Sequence, residues 1–328
     1  ICQAATLNLD ATGNATLDPA SIDNGSFDNC GAGLVLTTFP TSFTCADLGA
    51  NNVWLIVTDG SGNVDSCLAV VTVGDTVPPT AICMPGTAYL DASGSITIDS
   101  SYINNGSSDV CSSVTMALSK YTYNCDSVNI ALPISLYVTD TNGNSDTCTT
   151  TITILDTVSP VAICKPATIY LDAAGTFTID SSFINNGSSD NCTPVTMTLS
   201  QSVFTCADFG VVNVTLTVMD TNGNSSTCTA NVFVDDSLVP VANCMDTTIY
   251  LDALGIKVID SSYLNNGSTD NCDMTMSLSK STYVCADIGV NAIELYVRDE
   301  AGNIDTCVAN VTVLDTLAPI AVCQNVTA

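Results

Sequence analysis

Along much of the chain apolar and polar residues alternate with a period of two. Val53, Leu55 and Val57 point one way, with Trp54 and Ile56 opposite, and the alternation recurs at Ile134/Leu136/Val138, Val214/Leu216/Val218 and Ile293/Leu295/Val297. A few residues later it resumes at Ala69/Val71/Val73, Ala230/Val232/Val234 and Ala309/Val311/Val313. Period two in Val, Ile and Thr marks half-buried strands. Between the paired runs stands Asp-x-x-Gly-Asn, as in "VTDGSGNVDSC" (57–67), "VTDTNGNSDTC" (138–148), "VMDTNGNSSTC" (218–228) and "VRDEAGNIDTC" (297–307). Two alternating runs around a Gly-Asn turn predict a hairpin. No helical period longer than two turns is found.

These hairpins are parts of a larger repeat. Cysteines recur in four classes: Cys2, Cys83, Cys164, Cys244 and Cys323; then Cys30, Cys111, Cys192 and Cys272; then Cys45, Cys125, Cys206 and Cys285; then Cys67, Cys148, Cys228 and Cys307. The first class recurs every 79–81 residues. "LDATG"-like, "NNGSSDNC"-like and "CADLG"-like segments keep the same phase. The reading is an all-β tandem array of repeats at 1–76, 77–157, 158–237 and 238–316, with the start of a fifth at 317–328. Cys323 falls in that fifth repeat, and the sequence reads as a slice of a longer array. About seven short strands per repeat, with turn signals roughly every 8–12 residues, predict disulfide-bonded, immunoglobulin-like β-sandwiches.

Seventeen cysteines without a Cys-x-x-Cys pair argue for disulfides and an oxidising, extracellular location, and against structural zinc. Four cysteines per repeat permit three connectivities. If the hairpin joins strands F and G and strand A lies beside G, the first class meets the fourth: Cys2–Cys67, Cys83–Cys148, Cys164–Cys228 and Cys244–Cys307. The second and third would then close the middle of each repeat: Cys30–Cys45, Cys111–Cys125, Cys192–Cys206 and Cys272–Cys285. A repeat this short buries a small core, and a bridge of the Cys83–Cys148 kind adds ~4 kcal/mol in the chain-entropy account.

Charge narrows the partners. With 33 acidic against 5 basic residues the formal charge is −28, which excludes nucleic acid and favours cations. No apolar run approaches the ~20 residues that cross a bilayer, so no membrane insertion is expected. The chain has no histidine, which removes the commonest general base. An enzyme rarely copies its active site four times, so no catalytic residues are assigned.

The recurrent carboxylates have two readings. In the first, Asp59, Asp140, Asp220 and Asp299 cap backbone N–H groups of a turn in which Gly62, Gly143, Gly223 and Gly302 take positive φ and the following asparagine tolerates it. In the second they are Ca2+ ligands, since calcium takes six to eight oxygens. The linkers "DTVPP", "DTVSP", "DSLVP" and "DTLAP" would bring Asp75 to Asp99, Asp109 and Asp140; Asp156 to Asp180, Asp190 and Asp220; and Asp236 to Asp260, Asp270 and Asp299. Asp10 and Asp47 would approach the first of these from the preceding repeat.

The linker "DTVPPTAIC", the "VTDTNGNSDTC" hairpin and the tail "TTTITILD" resemble the HYR (hyalin) repeat, an immunoglobulin-like extracellular module. The four-cysteine repeat is most similar to the version stacked in giant surface and gliding-type adhesins of Bacteroidota. That resemblance covers the chain and implies a secreted or surface-anchored stalk or adhesin exported by the type IX route. The linker triplets also resemble the Bacteroidota O-glycosylation signal, which makes Thr76, Thr157, Ser237 and Thr316 candidate glycan sites; a Pro-stiffened connector is the plain alternative. Asn105, Asn186 and Asn266 lie in Asn-x-Ser/Thr sequons that Asn-Gly turns also explain. Isopeptide cross-links are rejected, because Lys120 and Lys280 have no counterparts in the other repeats.

The leading functional reading is a rigid extracellular spacer, each repeat adding ~35–45 Å, whose contacts are neighbouring repeats. Other cells, glycans or surfaces would be met by regions outside this slice. The alternatives are a multivalent glycan- or protein-binding module, which the lone Trp54 weakens, and a non-catalytic spacer of a secreted enzyme.

Overall fold

A computed structural model describes residues 1–322 and 324, apart from Ala32 and Thr193. Cys323 therefore lies outside the described residues. The structure divides into two compact units, Ile1–Val158 and Ser159–Ala328, and each holds the same strand pattern twice.

In the first repeat, β1 (Ala5–Asn8), β2 (Asn14–Thr16), β3 (Val35–Phe39), β4 (Ser42–Thr44), β5 (Gly49–Thr58) and β6 (Val64–Gly74) form two sheets. One has the order β1-β6-β5-β3, and the other pairs β2 with β4. The strand β1 runs parallel to β6, with Ala5 opposite Val71, and β5 and β6 form the expected antiparallel hairpin. The arrangement is an immunoglobulin-type A–G–F–C sheet facing a B–E pair. It recurs as β7 (Gly86–Tyr89), β8 (Ser95–Thr97), β9 (Val114–Leu118), β10 (Thr122–Asn124), β11 (Ala131–Asp140) and β12 (Ser145–Leu155).

The second unit has β13 (Ala167–Tyr170), β14 (Thr176–Thr178), β15 (Thr196–Leu199), β16 (Val203–Thr205), β17 (Gly210–Met219) and β18 (Ser225–Asp235), then β19 (Thr247–Tyr250), β20 (Ile256–Val258), β21 (Met274–Leu278), β22 (Thr282–Val284), β23 (Gly289–Asp299) and β24 (Ile304–Leu314). Sheet orders repeat without change. Among the described residues no helix is long and apolar enough to cross a membrane.

Among the described residues six strands rather than about seven make each repeat, and the reason is local. Only Pro40 and Thr41 separate β3 from β4, which leaves no room for a strand D. The chain instead descends along β3, switches sheets, and goes on descending along β4.

The core follows the alternation. Val53, Leu55, Ala69, Val71 and Val73 are buried, with their counterparts in the other repeats except Thr150, while Trp54 is exposed. One aromatic per repeat, which alternation alone does not single out, completes it: Phe43, Tyr123, Phe204 and Tyr283, two residues before the third cysteine, are all buried. Lys120 sits over Tyr123 and Lys280 over Tyr283, at 4.7 and 5.3 Å from the ring centres. These lysines go with tyrosine; the phenylalanine repeats lack them.

Disulfides join Cys2 to Cys67, Cys83 to Cys148, Cys164 to Cys228 and Cys244 to Cys307. The expected Cys30–Cys45, Cys111–Cys125, Cys192–Cys206 and Cys272–Cys285 pairs do not form. Cys45 bonds Cys111, and Cys206 bonds Cys272; Cys30 and Cys285 are free and exposed. The descending path is the cause. Cys111 precedes β9 and Cys125 follows β10, and the five and three strand residues between them alone span on the order of 25 Å. A bridge needs Cα atoms within about 7 Å. The second and third cysteines thus sit at opposite ends of one sandwich, and within each unit the third cysteine of one repeat meets the second of the next. The Cys45–Cys111 bridge crosses the linker that joins its two repeats.

The "LDATG" motif serves that bridge. Gly13 turns at φ +75°, and a Cβ there would lie 2.6 Å from the Cys45 sulfur. Gly175 stands in the same relation to Cys206 at 2.7 Å. Only glycine supplies both the backbone conformation and the space.

Candidate metal centre

The linker aspartate, the aspartate that ends strand F and the one before the second cysteine converge. Carboxylate oxygens of Asp75, Asp109 and Asp140 all lie within 4.8 Å of one another, as do those of Asp236, Asp270 and Asp299. Asp190 and Asp220 approach in the same way within the third repeat. Asp75, Asp140, Asp236 and Asp299 are buried. Asp156 is buried as well.

Each carboxylate is held by local backbone. Asp140 accepts from the Asn142 and Asn144 amides at 2.9 and 2.8 Å through one oxygen, and from Asn144 Nδ2 at 2.7 Å through the other. Gly143 provides the turn at φ +93°. Burial pushes the Asp140 carboxyl up, but the Asn144 and Asn142 hydrogen bonds outweigh it and hold the group below its ordinary value. Asp75 accepts from the Val77 amide at 3.0 Å and from Asn142 Nδ2 at 3.0 Å. Asp109 accepts from the Cys111 and Ser112 amides, both at 2.8 Å. The fourth repeat matches: Asp299 accepts from Gly302 and Asn303, Asp236 from Leu238, and Asp270 from Cys272.

The recurrent turn asparagine does a different job from the one its position suggests. It does not take positive φ; Asn129 alone does so among the described non-glycine residues. Instead Asn144 Nδ2 bonds both the Asp140 carboxylate and the Asp75 carbonyl, the latter at 3.1 Å. Asn303 Nδ2 likewise bonds the Asp299 carboxylate and the Asp236 carbonyl. The asparagine fastens the turn to the linker.

Asp99, Asp180 and Asp260 belong to no such cluster. Each caps a short 3₁₀ turn, accepting from Ser101, Ser182 or Ser262. Serine hydroxyls and amides hold all three carboxyls below their ordinary value. Asp10 closes the Gly13 turn through Thr12 and Asn14, and Asp47 caps the turn after β4 through Thr44. A short polar side chain just before a turn is satisfied locally, so these five are spent within their own loops.

Sequence reasoning missed one linker contact. Asp146, on β12, accepts from the Ala81 amide at 2.9 Å, and Asp305 from Ala242 at 2.8 Å. Those amide hydrogen bonds hold both carboxyls low. The signal was the aspartate in "GNSDTC" and "GNIDTC". The "NNGSSD" loop has a parallel role: Ser107 Oγ accepts from the Ile82 amide, and Ser108 pairs with Thr80. Thr76, Thr157, Ser237 and Thr316 are all exposed.

The donor set suits a hard divalent cation. Oxygens on opposite sides of Ca2+, at 2.3–2.6 Å each, lie up to about 4.6–5.2 Å apart, so carboxylate oxygens within 4.8 Å of one another can share one ion. The Asp236 Oδ2 and Asp190 Oδ1 atoms are buried without a hydrogen-bond partner. Among the described residues the one ion pair is Lys280–Asp287, which belongs to no cluster. Three gathered carboxylates without a cationic side chain repel unless a cation or protons intervene.

In sequence the chain is similar to hyalin. It is 26% identical to hyalin of Strongylocentrotus purpuratus over 318 residues, 91% of this chain and 26% of that protein. It is 29% identical to hyalin of Lytechinus variegatus over 195 residues, 56% of this chain and 37% of that protein. The chain thus spans a quarter to little more than a third of these relatives. No family model matches it. Solved structures with some likeness include the protocadherin γB4 extracellular domain (12% identity, 94% of this chain and 65% of that one, TM-score 0.30) and Sidekick-1 immunoglobulin domains 1–5 (10% identity, 95% and 79%, TM-score 0.32).

Proposed function

We propose that the chain is a non-catalytic, extracellular repeat region, a stalk or filament segment of a surface adhesin, whose linkers are stiffened by Ca2+. The observation that carries this is the carboxylate triad at the linker, with its buried, unpartnered Asp236 oxygen. Disulfide density fits an oxidising compartment, and the hyalin likeness supports an extracellular repeat. Asp75, Asp109 and Asp140, and Asp236, Asp270 and Asp299, would hold the ion; when bound it supplies charge neutralisation and cross-links linker to turn. The exposed linker Thr76, Thr157, Ser237 and Thr316 are proposed O-glycan positions, to be checked by mass spectrometry of linker peptides from the native source. Calorimetric titration of metal-free protein with Ca2+ tests the main reading. Saturable binding that raises the melting temperature supports it; no heat and an unchanged melting curve overturn it.

One observation favours a second reading. On the outer face of the first repeat Phe39, Trp54 and Leu68 are cross-strand neighbours and are 69, 46 and 48% exposed. An apolar, aromatic row of this kind suits a sugar face or a partner protein. Trp54 is the single tryptophan, so its fluorescence reports oligosaccharide binding directly; a flat titration removes the sugar reading.

A further inference from the structure

The bridges between first and fourth cysteines decide how the chain answers tension. They close loops of 65, 65, 64 and 63 residues. A pull on the two ends enters a repeat at its first cysteine and crosses the bridge to the fourth. It leaves along the 16 residues from Cys67 to Cys83, from Cys148 to Cys164, or from Cys228 to Cys244. Nothing inside the loop, where β2 to β5 and most of the core lie, is on that path.

The exit segment has little length to give. Leu68–Gly74 is the body of β6, held between β1 and β5. A strand already rises ~3.3 Å per residue, close to the ~3.3–3.6 Å of a fully drawn chain. Tension at both ends of such a strand neither peels it from its sheet nor lengthens it. Only the linker, residues 75–82, has slack.

We infer that the array is a tether of covalently capped extension, in which force runs through bridge, strand G and linker and bypasses the sandwich. The bridge spans 5.9 Å between Cα atoms. With 16 residues at ~3.5 Å, the ceiling is about 60 Å per repeat, against about 280 Å for an unbridged repeat. Four repeats from Cys2 to Cys307 reach about 190 Å at most, rather than on the order of 1,000 Å. The Cys45–Cys111 and Cys206–Cys272 bridges lie off the shortest path and add a second covalent link between successive repeats. Stability of the sandwich and resistance to stretching are thereby separated: a repeat that melts still cannot lengthen. This depends on the disulfide connectivity alone and holds whether or not the stalk or Ca2+ reading does.

Single-molecule stretching of the full chain, held at its termini, tests it. The unreduced chain is expected to show no step longer than about 60 Å. A dithiol, which reduces each bridge to two thiols and closes to a cyclic disulfide itself, is expected to release steps of up to about 220 Å, shorter where a bridge between repeats is still closed. A Cys2→Ser/Cys67→Ser variant is expected to gain about 190 Å of total length, the Cys45–Cys111 bridge shortening the freed path, and this readout stands even if its first repeat fails to fold. Steps near 220 Å in the unreduced chain, or a variant no longer than the wild type, overturn the inference.

Discussion

The first and second repeats carry the same F–G turn in different company. Asp59 and Asp140 accept the same three bonds, from the backbone two and four residues on and from the asparagine side chain at 2.7 Å. Asn63 Nδ2 has the Asp59 carboxylate as its partner, whereas Asn144 Nδ2 also reaches the Asp75 carbonyl. Asp59 is half-exposed, and Asp140 is buried against Asp75 and Asp109. The turn therefore folds on its own bonds, and the carboxylate cluster is an addition made by the linker. Asp-x-x-Gly-Asn is a turn first, and joins a carboxylate cluster only where a linker aspartate arrives.

The largest effect expected from that difference is calcium-dependent protection. At a hundred times Kd a ligand adds about 2.7 kcal/mol to the state that binds it. Hydrogen exchange with and without chelator should show added protection at residues 140–144 and 299–303 and none at 59–63. Equal protection at all three turns would erase that distinction.

Removing the fastening asparagine comes next. Asn144→Ala leaves a buried carboxylate oxygen and the Asp75 carbonyl each short of a donor, a cost of about 1–3 kcal/mol. Asn63→Ala, in a half-exposed turn with water at hand, should cost clearly less. Denaturant unfolding of the two variants measures the gap, and equal midpoints would mean that the linker bond contributes nothing.

Much of this was legible in the sequence. Period-two runs around Val53, Ile134, Val214 and Ile293 gave the strands, the facing direction and the F–G hairpin, because alternation is set by backbone geometry. Asp75, Asp109 and Asp140 could be brought together because the linker must enter the next sandwich at its F–G end. Asp99 could not be excluded, since its use depends on whether Ser101 is near enough to satisfy it. The Cys45–Cys111 bridge was not legible either: spacing along the chain favours Cys30–Cys45, and only the missing strand D sends the third cysteine to the far end. The role of Gly13 follows from that bridge, so it stayed hidden as well.

The free cysteines offer a smaller test of the same contrast between ends and junctions. Cys30 and Cys285 are of the second and third classes, of which Cys45, Cys111, Cys206 and Cys272 are bridged to one another in pairs. A maleimide should label Cys30 and Cys285 in the folded, unreduced chain and leave those four unmodified. Peptide mapping that finds Cys30 and Cys285 unlabelled would restore the pairing within a repeat.

Acid should produce the smallest difference, and its sign is fixed by the turn. Asn63 side-chain and backbone bonds lower the Asp59 carboxyl, and for Asp140 the Asn144 bonds outweigh burial, so both folded values lie below the ordinary 3.8. A lowered carboxyl stabilises the fold above its unfolded value, and the contribution is lost as pH falls through the folded one. Both turns should therefore hold at pH 5 and loosen only below about 3.8. In Ca2+ the second repeat must also expel the ion, because protons and metal compete for the same oxygens. Loosening at residues 140–144 should then move to lower pH and steepen, while that at 59–63 stays where it was. Amide exchange followed between pH 5 and 2.5, with and without Ca2+, separates the two turns. A calcium-induced shift of equal size at both would show that the ion acts on the turn itself and that the linker carboxylates are bystanders.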